Sequence, residues 1–220
     1  RFMNWMAAND TTQKHWAERA QPEDARYSTT AGVPLEALIH LANRTRIDPW
    51  FTLPHQATNA YIQQFAQLTL TQLNRGRKVY VEYSNEIWNA QFAQGDWVEQ
   101  QGQLAWPAVP ESGFTKRINW YGKRTAEICD IWKSTWGADA ARVICVMAGQ
   151  SANNWISSQA LACPLWENGP CANHGINAVA IAPYFGYYLG APEYETAVQQ
   201  WTTNPDGGLG KLFTELMTGG

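Results

Sequence analysis

The sequence has few charged side chains and no long apolar run. Charged residues make up 16% of its 220 residues, with 16 lysines and arginines against 19 aspartates and glutamates. A formal net charge of −3 gives no sign of the basic surface that binds nucleic acid. No segment reaches the roughly 18 to 20 apolar residues of a membrane-spanning helix. We therefore expect no nucleic-acid partner and no membrane span.

Several motifs of known chemistry are also missing. No predicted strand end carries G-x-G-x-x-G or G-x-x-x-x-G-K, which argues against a dinucleotide or P-loop site. The stretch Gly149-Gln150-Ser151-Ala152 lacks the closing glycine of the G-x-S-x-G elbow that a serine hydrolase uses. No group of cysteines and histidines has zinc-ligand spacing. We expect neither a metal nor another cofactor.

Cysteines are few, but two of them indicate a disulfide. Cys163 and Cys171 bracket a loop rich in turn-forming residues, so we predict a short bridge between them. Such a bridge implies an oxidising compartment, hence a secreted or periplasmic protein, although the chain as given carries no signal peptide. Cys129 falls in a helical pattern and Cys145 in a strand pattern. We interpret these two as buried thiols, with a helix-to-strand bridge as the alternative.

Aromatic side chains are abundant, with 12 Trp, nine Tyr and seven Phe. The flat faces of these rings suit the C–H surfaces of sugar rings, which points to a polysaccharide or oligosaccharide partner. The alternative is that the rings fill a large core.

Strand and helix patterns alternate along the chain, with a polar helix predicted directly after Glu86, to about Gln101, and a long Asn- and Gly-rich insertion predicted over 151–173. The predicted strands are 1–6, 50–55, 79–84, 142–147 and 177–182. Repeated βα units in one direction predict a parallel sheet with right-handed crossovers. We predict an α/β fold, an incomplete parallel (β/α) barrel of TIM type with about five βα units, forming a single partial domain over 1–220. Its open sheet edges would allow self-association.

The central feature is the stretch Val79–Asn89, in which a β-branched and aromatic strand changes abruptly into Ser84-Asn85-Glu86. Barrel enzymes place their catalytic groups at such strand ends. We interpret Glu86 as a catalytic acid/base, Asn85 as its substrate-orienting neighbour and Trp88 as a pocket wall. The alternative is a strand that simply becomes polar where it meets water.

Other polar or aromatic residues also follow predicted strands, which favours a barrel over a doubly wound sheet. The substrate-binding candidates of this kind are Trp5, His55 and Gln150, and Tyr184 is a further catalytic candidate. Glu82 shares strand parity with Glu86, so we expect it to point inward. A buried carboxylate needs a cation or hydrogen-bond donors, and Arg1 is the candidate.

The motif Tyr83-Ser84-Asn85-Glu86 resembles the strand-four Asn-Glu motif of clan A glycoside hydrolases, the (β/α)8 enzymes that include family 5 endoglucanases. Arg1, His55 and Tyr184 follow the order of that group's strand-two Arg, strand-three His and strand-six Tyr. Ala182 departs from family 5, which often has a His in that place. The resemblance covers the whole chain as strands two to six.

The resemblance implies retaining hydrolysis of a β-linked glycan. Glu86 would be the acid/base, Asn85 would bind the sugar 2-OH, and Tyr184 would orient the nucleophile. Arg1 would hold that carboxylate in place and His55 would bind substrate hydroxyls.

Retaining hydrolysis requires a second carboxylate roughly 5 Å from the first. Glu193, Glu195 and Glu215 lie in helical patterns rather than at a strand end. We therefore expect the nucleophile, with strands one, seven and eight, outside this chain, in a longer protein or a second chain. The alternative is a non-catalytic carbohydrate-binding barrel fragment.

Overall fold

The computed structural model describes residues 1–183 and 186–218. Their contacts divide the chain into two compact units, Arg1–Ile181 and Ala182–Gly220. The first unit contains the whole of the described sheet, and the second is helical.

The first unit is α/β, with one parallel sheet. Its strands are β1 (Trp50–Leu53), β2 (Val79–Tyr83), β3 (Val143–Gly149) and β4 (Ile176–Ile181). They pair in the order β1-β2-β3-β4, and every pair is parallel. The helices are α1 (Leu35–Thr45), α2 (Asn59–Gln72), α3 (Ala93–Ala105), α4 (Gly113–Trp136) and α5 (Asn154–Ala162). The predicted α/β class and parallel sheet are therefore confirmed.

The two faces of the sheet differ in character. On one face, Phe51 packs its ring 5.4 Å from Phe65 of α2, and Tyr83 packs 6.0 Å from Tyr121 of α4. The register places Trp50 beside Tyr80 and Thr52 beside Glu82 on the opposite face. One face thus forms the hydrophobic core with the helices, and the other carries the buried carboxylate.

The prediction of a strand over residues 1–6 is wrong. Residues 3–7 form turns, in which Met6 N donates to Phe2 O at 2.9 Å and Ala7 has a φ of 48°. The segment still flanks the outer edge of β1, where Phe2 N donates to Trp50 O at 2.9 Å. Turns replace the strand because the N–H groups of Met6 and Ala7 bond to carbonyls within the segment itself rather than to a neighbouring strand. The described residues therefore contain four strands rather than five.

The predicted helices form, with two differences. α3 begins at Ala93 rather than directly after Glu86, because the intervening residues form an irregular loop. α5 lies within the predicted insertion 151–173. It buries Ile156 and Ala160, and its packing on α4 is close because Gly122 has no side chain at the contact with the Ala160 carbonyl.

Two disulfides cross-link the first unit. The predicted bridge Cys163–Cys171 is confirmed. The interpretation of Cys129 and Cys145 as thiols is wrong, since they form the alternative helix-to-strand bridge. Strand parity explains it: Cys145 points to the helix-covered face, where α4 presents Cys129.

The second unit consists of short helices. Two 3₁₀ turns, Tyr187–Gly190 and Pro192–Tyr194, precede α6 (Glu195–Trp201) and α7 (Leu209–Thr218). α7 carries the exposed apolar residues Leu209, Phe213 and Met217, which recur at every fourth position. Among the helices that the structure describes, none has the length and apolar character needed to cross a membrane.

The Cys129–Cys145 bridge closes a longer loop than Cys163–Cys171, with sequence separations of 16 and 8. Replacing both Cys129 and Cys145 by alanine should lower the free energy of unfolding by about 3 kcal/mol, because the unfolded chain gains entropy. Urea titrations followed by tryptophan fluorescence would measure the loss. Replacing both Cys163 and Cys171 by alanine is the matched comparison and should lower the free energy of unfolding slightly less, because this bridge closes a shorter loop. An unchanged unfolding midpoint would contradict the bridge.

Candidate active site

The loop after β2 has an unusual backbone. Ser84 N donates to Leu53 O at 2.9 Å and so extends the ladder beyond the strand. Ser84 and Glu86 then adopt left-handed conformations, with φ values of 56° and 43°. Each such non-glycine residue costs about 1–3 kcal/mol and persists only where the surroundings hold it. Strain of this kind is concentrated at functional sites.

Beneath this loop lies a buried ion pair. Glu82, at 1% exposure, accepts from Arg1 Nε at 3.0 Å and from Arg1 Nη2 at 2.8 Å. Trp50 Nε1 also donates to Glu82 at 2.8 Å, and the Arg1 guanidinium lies 5.5 Å from the Trp50 ring centre. The expected pairing of Arg1 with an inward Glu82 is thus what the structure has. Burial raises the pKa of Glu82, and the Arg1 charge opposes that shift.

Asn85 connects the ion pair to the loop. Its Oδ1 accepts from Arg1 Nη2 at 2.7 Å, and its Nδ2 donates to Asn9 Oδ1 at 3.0 Å. The residue is 4% exposed. The side chain is therefore fixed at both ends, and within residues 1–183 and 186–218 the second Nδ2 hydrogen makes no further bond.

Glu86 stands at the outer end of the loop. It is half-buried, in contrast to Asn85 and Glu82 behind it. Its carboxylate accepts from Asn89 Nδ2 at 3.2 Å, and its carbonyl accepts from Asn89 N at 2.8 Å. Trp88 is also half-buried and packs against the core. The loop thus places a half-buried carboxylate next in sequence to a polar layer formed by Arg1, Glu82 and Asn85.

An amide network joins this loop to the N-terminal segment and to α3. Gln94, with no exposed surface, donates to Asn9 Oδ1 and to the Asn85 carbonyl, both at 2.9 Å, and accepts from Asp10 N at 2.9 Å. Asp10 in turn accepts from Ala93 N at 2.7 Å. Sequence reasoning missed Asn9, Asp10 and Gln94. The available signal was the long polar segment over residues 7–33, which holds the first two, because long loops tend to be functional.

His55 follows β1 but is shielded from solvent. It is 2% exposed, and its ring packs edge-on against Trp97 of α3 at 5.4 Å. Its Nδ1 is buried without a hydrogen-bond partner among residues 1–183 and 186–218. Burial lowers the pKa of His55 from 6.5 to about 4, against the opposing effect of Asp10. The ring is neutral near pH 7, and its predicted contact with substrate stays a prediction.

The remaining candidates are spread more widely. Trp5 is 53% exposed, and residues 1–5 line an open depression of about 380 Å³. Gln150 is exposed and forms an antiparallel bridge with Asn153 in its own turn. Tyr184 lies outside the described residues. The structure therefore brings Arg1 and Asn85 into contact and places Glu86 directly after Asn85, whereas Gln150 makes its bridge within its own turn.

Comparisons of the chain with protein-family models, curated proteins and solved structures gave no match. The resemblance to clan A glycoside hydrolases therefore stays a prediction. Within the described residues, no group of three or more His, Cys, Asp or Glu side chains could hold a metal ion.

Replacing Arg1 by leucine should destabilise the protein mainly at high pH. The change leaves Glu82 buried without its cation, at a cost of about 2–3 kcal/mol at pH 8. Because Arg1 is partly exposed, this cost is no more than the low end of the range for breaking a fully buried ion pair. The pKa of Glu82 in the folded variant would lie further above its ordinary 4.5. Below that raised pKa, Glu82 of the folded variant is protonated and neutral. The loss of folding stability therefore becomes smaller as pH falls through that pKa.

Urea titrations at pH 8 and pH 5 would measure this difference. Arg26→Leu, at an exposed arginine, is the matched control and should change stability little at either pH. An Arg1→Leu loss that is equal at both pH values would contradict the assigned pairing.

The buried neutral His55 should make folding sensitive to mild acid. Its folded pKa lies below the unfolded value, so its contribution is complete above pH 6.5 and is lost as pH falls toward 4. Between pH 7.5 and pH 5 the free energy of unfolding should therefore fall by up to about 2 kcal/mol because of His55. His55→Phe should remove this part of the pH dependence in urea titrations. His40→Phe, at an exposed histidine, should retain it, and parallel curves for all three proteins would contradict the assignment.

Proposed function

We propose that this chain supplies the acid/base half of a retaining glycoside hydrolase site for β-linked polysaccharide or oligosaccharide. The observation that carries the proposal is the strained loop at the end of β2. It places the half-buried Glu86 directly after Asn85, which bonds the Arg1 of the buried Arg1–Glu82 pair. The ion pair fixes the Asn85 side chain next to the proposed catalytic Glu86, and catalysis requires groups held in a fixed geometry.

We further propose that the sheet is an arc of a (β/α) barrel. The strands follow one another in chain order, and α2 and α4 pack on the same face. A doubly wound sheet would reverse its strand order at a switch point and carry helices on both faces. The polar layer of Arg1, Glu82 and Asn85, at the carboxyl end of β2, would then face the mouth of the barrel, where barrel enzymes have their active sites.

In the proposed reaction Glu86 donates a proton to the glycosidic oxygen as the bond breaks. It then removes a proton from the attacking water. The second Nδ2 hydrogen of Asn85 would bond the sugar 2-OH, a contact that strengthens in the transition state. Trp5 and Trp88 would stack against sugar rings next to the point of cleavage.

Glu82 does not suit the role of nucleophile. Arg1 and Trp50 occupy its oxygens, and it is almost fully buried. The proposal therefore assigns Glu86 the acid/base role only and expects the nucleophile outside this chain. The two disulfides favour an oxidising, secreted or periplasmic setting.

A second candidate function is glycan binding without cleavage. The exposed Trp5 above the open depression favours it, because an aromatic face can hold a sugar without any catalytic carboxylate. Calorimetry with cello-oligosaccharides and other β-linked oligosaccharides, run beside a reducing-sugar assay, separates the two. Binding without turnover would support this second function.

Glu86→Gln should abolish turnover in the full protein that carries this chain. The amide cannot donate the proton, so kcat should fall by about 10²–10⁴-fold while oligosaccharide binding persists. A reducing-sugar assay and calorimetry would measure the two effects. Glu111→Gln, at an exposed glutamate, is the matched control and should keep full activity. Unchanged turnover in Glu86→Gln would end the assignment.

A further inference from the structure

Gln94 is a buried amide whose bonding capacity is almost fully used. Its two donated bonds reach the Asn85 carbonyl and Asn9 Oδ1, and its oxygen accepts from Asp10 N. It lies in the first turn of α3 and has no exposed surface. A glutamine is mostly an exposed residue, so complete burial with three bonds indicates a specific task.

The two bonds that Gln94 donates both act on one residue of the loop, Asn85. Gln94 holds the Asn85 main chain directly, and it holds the Asn85 side chain through Asn9, whose Oδ1 accepts from both amides. Asn85 lies between the two left-handed residues, Ser84 and Glu86. A carbonyl fixed at this point restricts the rotation that would relax either neighbour.

The position of α3 is itself fixed against this loop. Phe92 offers no side-chain cap to α3, and the Asp10 carboxylate bonds the Ala93 N–H instead. Gly95 allows close approach, because a β-carbon there would lie 2.9 Å from the Asn89 carbonyl oxygen. The amide of Gln94 therefore projects from a helix end that is held on two sides.

We propose that Gln94 is a positioning residue that keeps Asn85 and Glu86 in their strained, working geometry. The catalytic part of this inference rests on the proposed function, but the geometric part does not. Without the amide, Asn85 loses its main-chain bond and Asn9 loses one of two donors. The loop then relaxes toward ordinary backbone angles, and Glu86 moves away from the bond it protonates.

Gln94→Met tests the proposal with a side chain of similar length that adds no charge. Hydrogen exchange of the amides of residues 84–89 should accelerate by about tenfold or more, because the strained loop opens more readily. In the active protein kcat should fall by about 10–100-fold while KM changes little, since a misplaced catalytic group costs rate rather than binding. Gln100→Met, at an exposed position of α3, is the matched control and should change neither quantity.

Asn9→Leu provides a second variant, because it removes the shared acceptor and leaves Gln94 in place. It should give a smaller acceleration of exchange in the same amides. If folded Gln94→Met exchanges residues 84–89 at the original rate, the positioning role is refuted whatever the activity. If exchange accelerates but neither the original protein nor its variants cleave any β-glycan, the proposed function fails while the geometric role stands.

Discussion

The burial of one carboxylate determines much of this site. An isolated charge with the exposure of Glu82 would cost several kcal/mol, so the fold must bring a cation and donors to it. Arg1 comes from a segment 81 residues away, and Trp50 from the neighbouring strand. The same guanidinium also holds Asn85. Neutralising Glu82 therefore ties the N-terminal segment to the end of β2, where the loop begins.

The network contributes geometry rather than stability. A buried ion pair is often no more stabilising than apolar residues of the same volume, and removing one partner is what costs most. The left-handed residues Ser84 and Glu86 oppose folding by about 1–3 kcal/mol each. Proteins retain such combinations where a group must be held in one place. The apolar face of the sheet, packed on α2 and α4, supplies the stability that offsets them.

Sequence reasoning succeeded where a feature has a period or a local signature. Strand parity predicted that Glu82 points inward, and turn residues predicted the Cys163–Cys171 bridge. It failed where the outcome depends on distant contacts. Nothing periodic in the sequence relates Gln94 to Asn9, 85 residues earlier. The pairing of Cys129 with Cys145 required knowing which faces meet, and residues 1–6 have strand-forming side chains that turns override.

The two faces of the sheet also bear on the proposed barrel. Trp50, Tyr80 and Ile144, near the beginnings of β1 to β3, are half-buried on the face opposite α2 and α4. Further along the same face, Thr52, Glu82 and Val146 are buried. A flat sheet would leave the Trp50 and Tyr80 rings partly in water and β4 at an open edge. Closure of a barrel would cover the face and the edges at once, and it would leave the polar layer at the mouth. The partial exposure of this face near the strand beginnings therefore supports the proposed barrel, in which the proposed site would lie at the opposite, carboxyl ends of the strands.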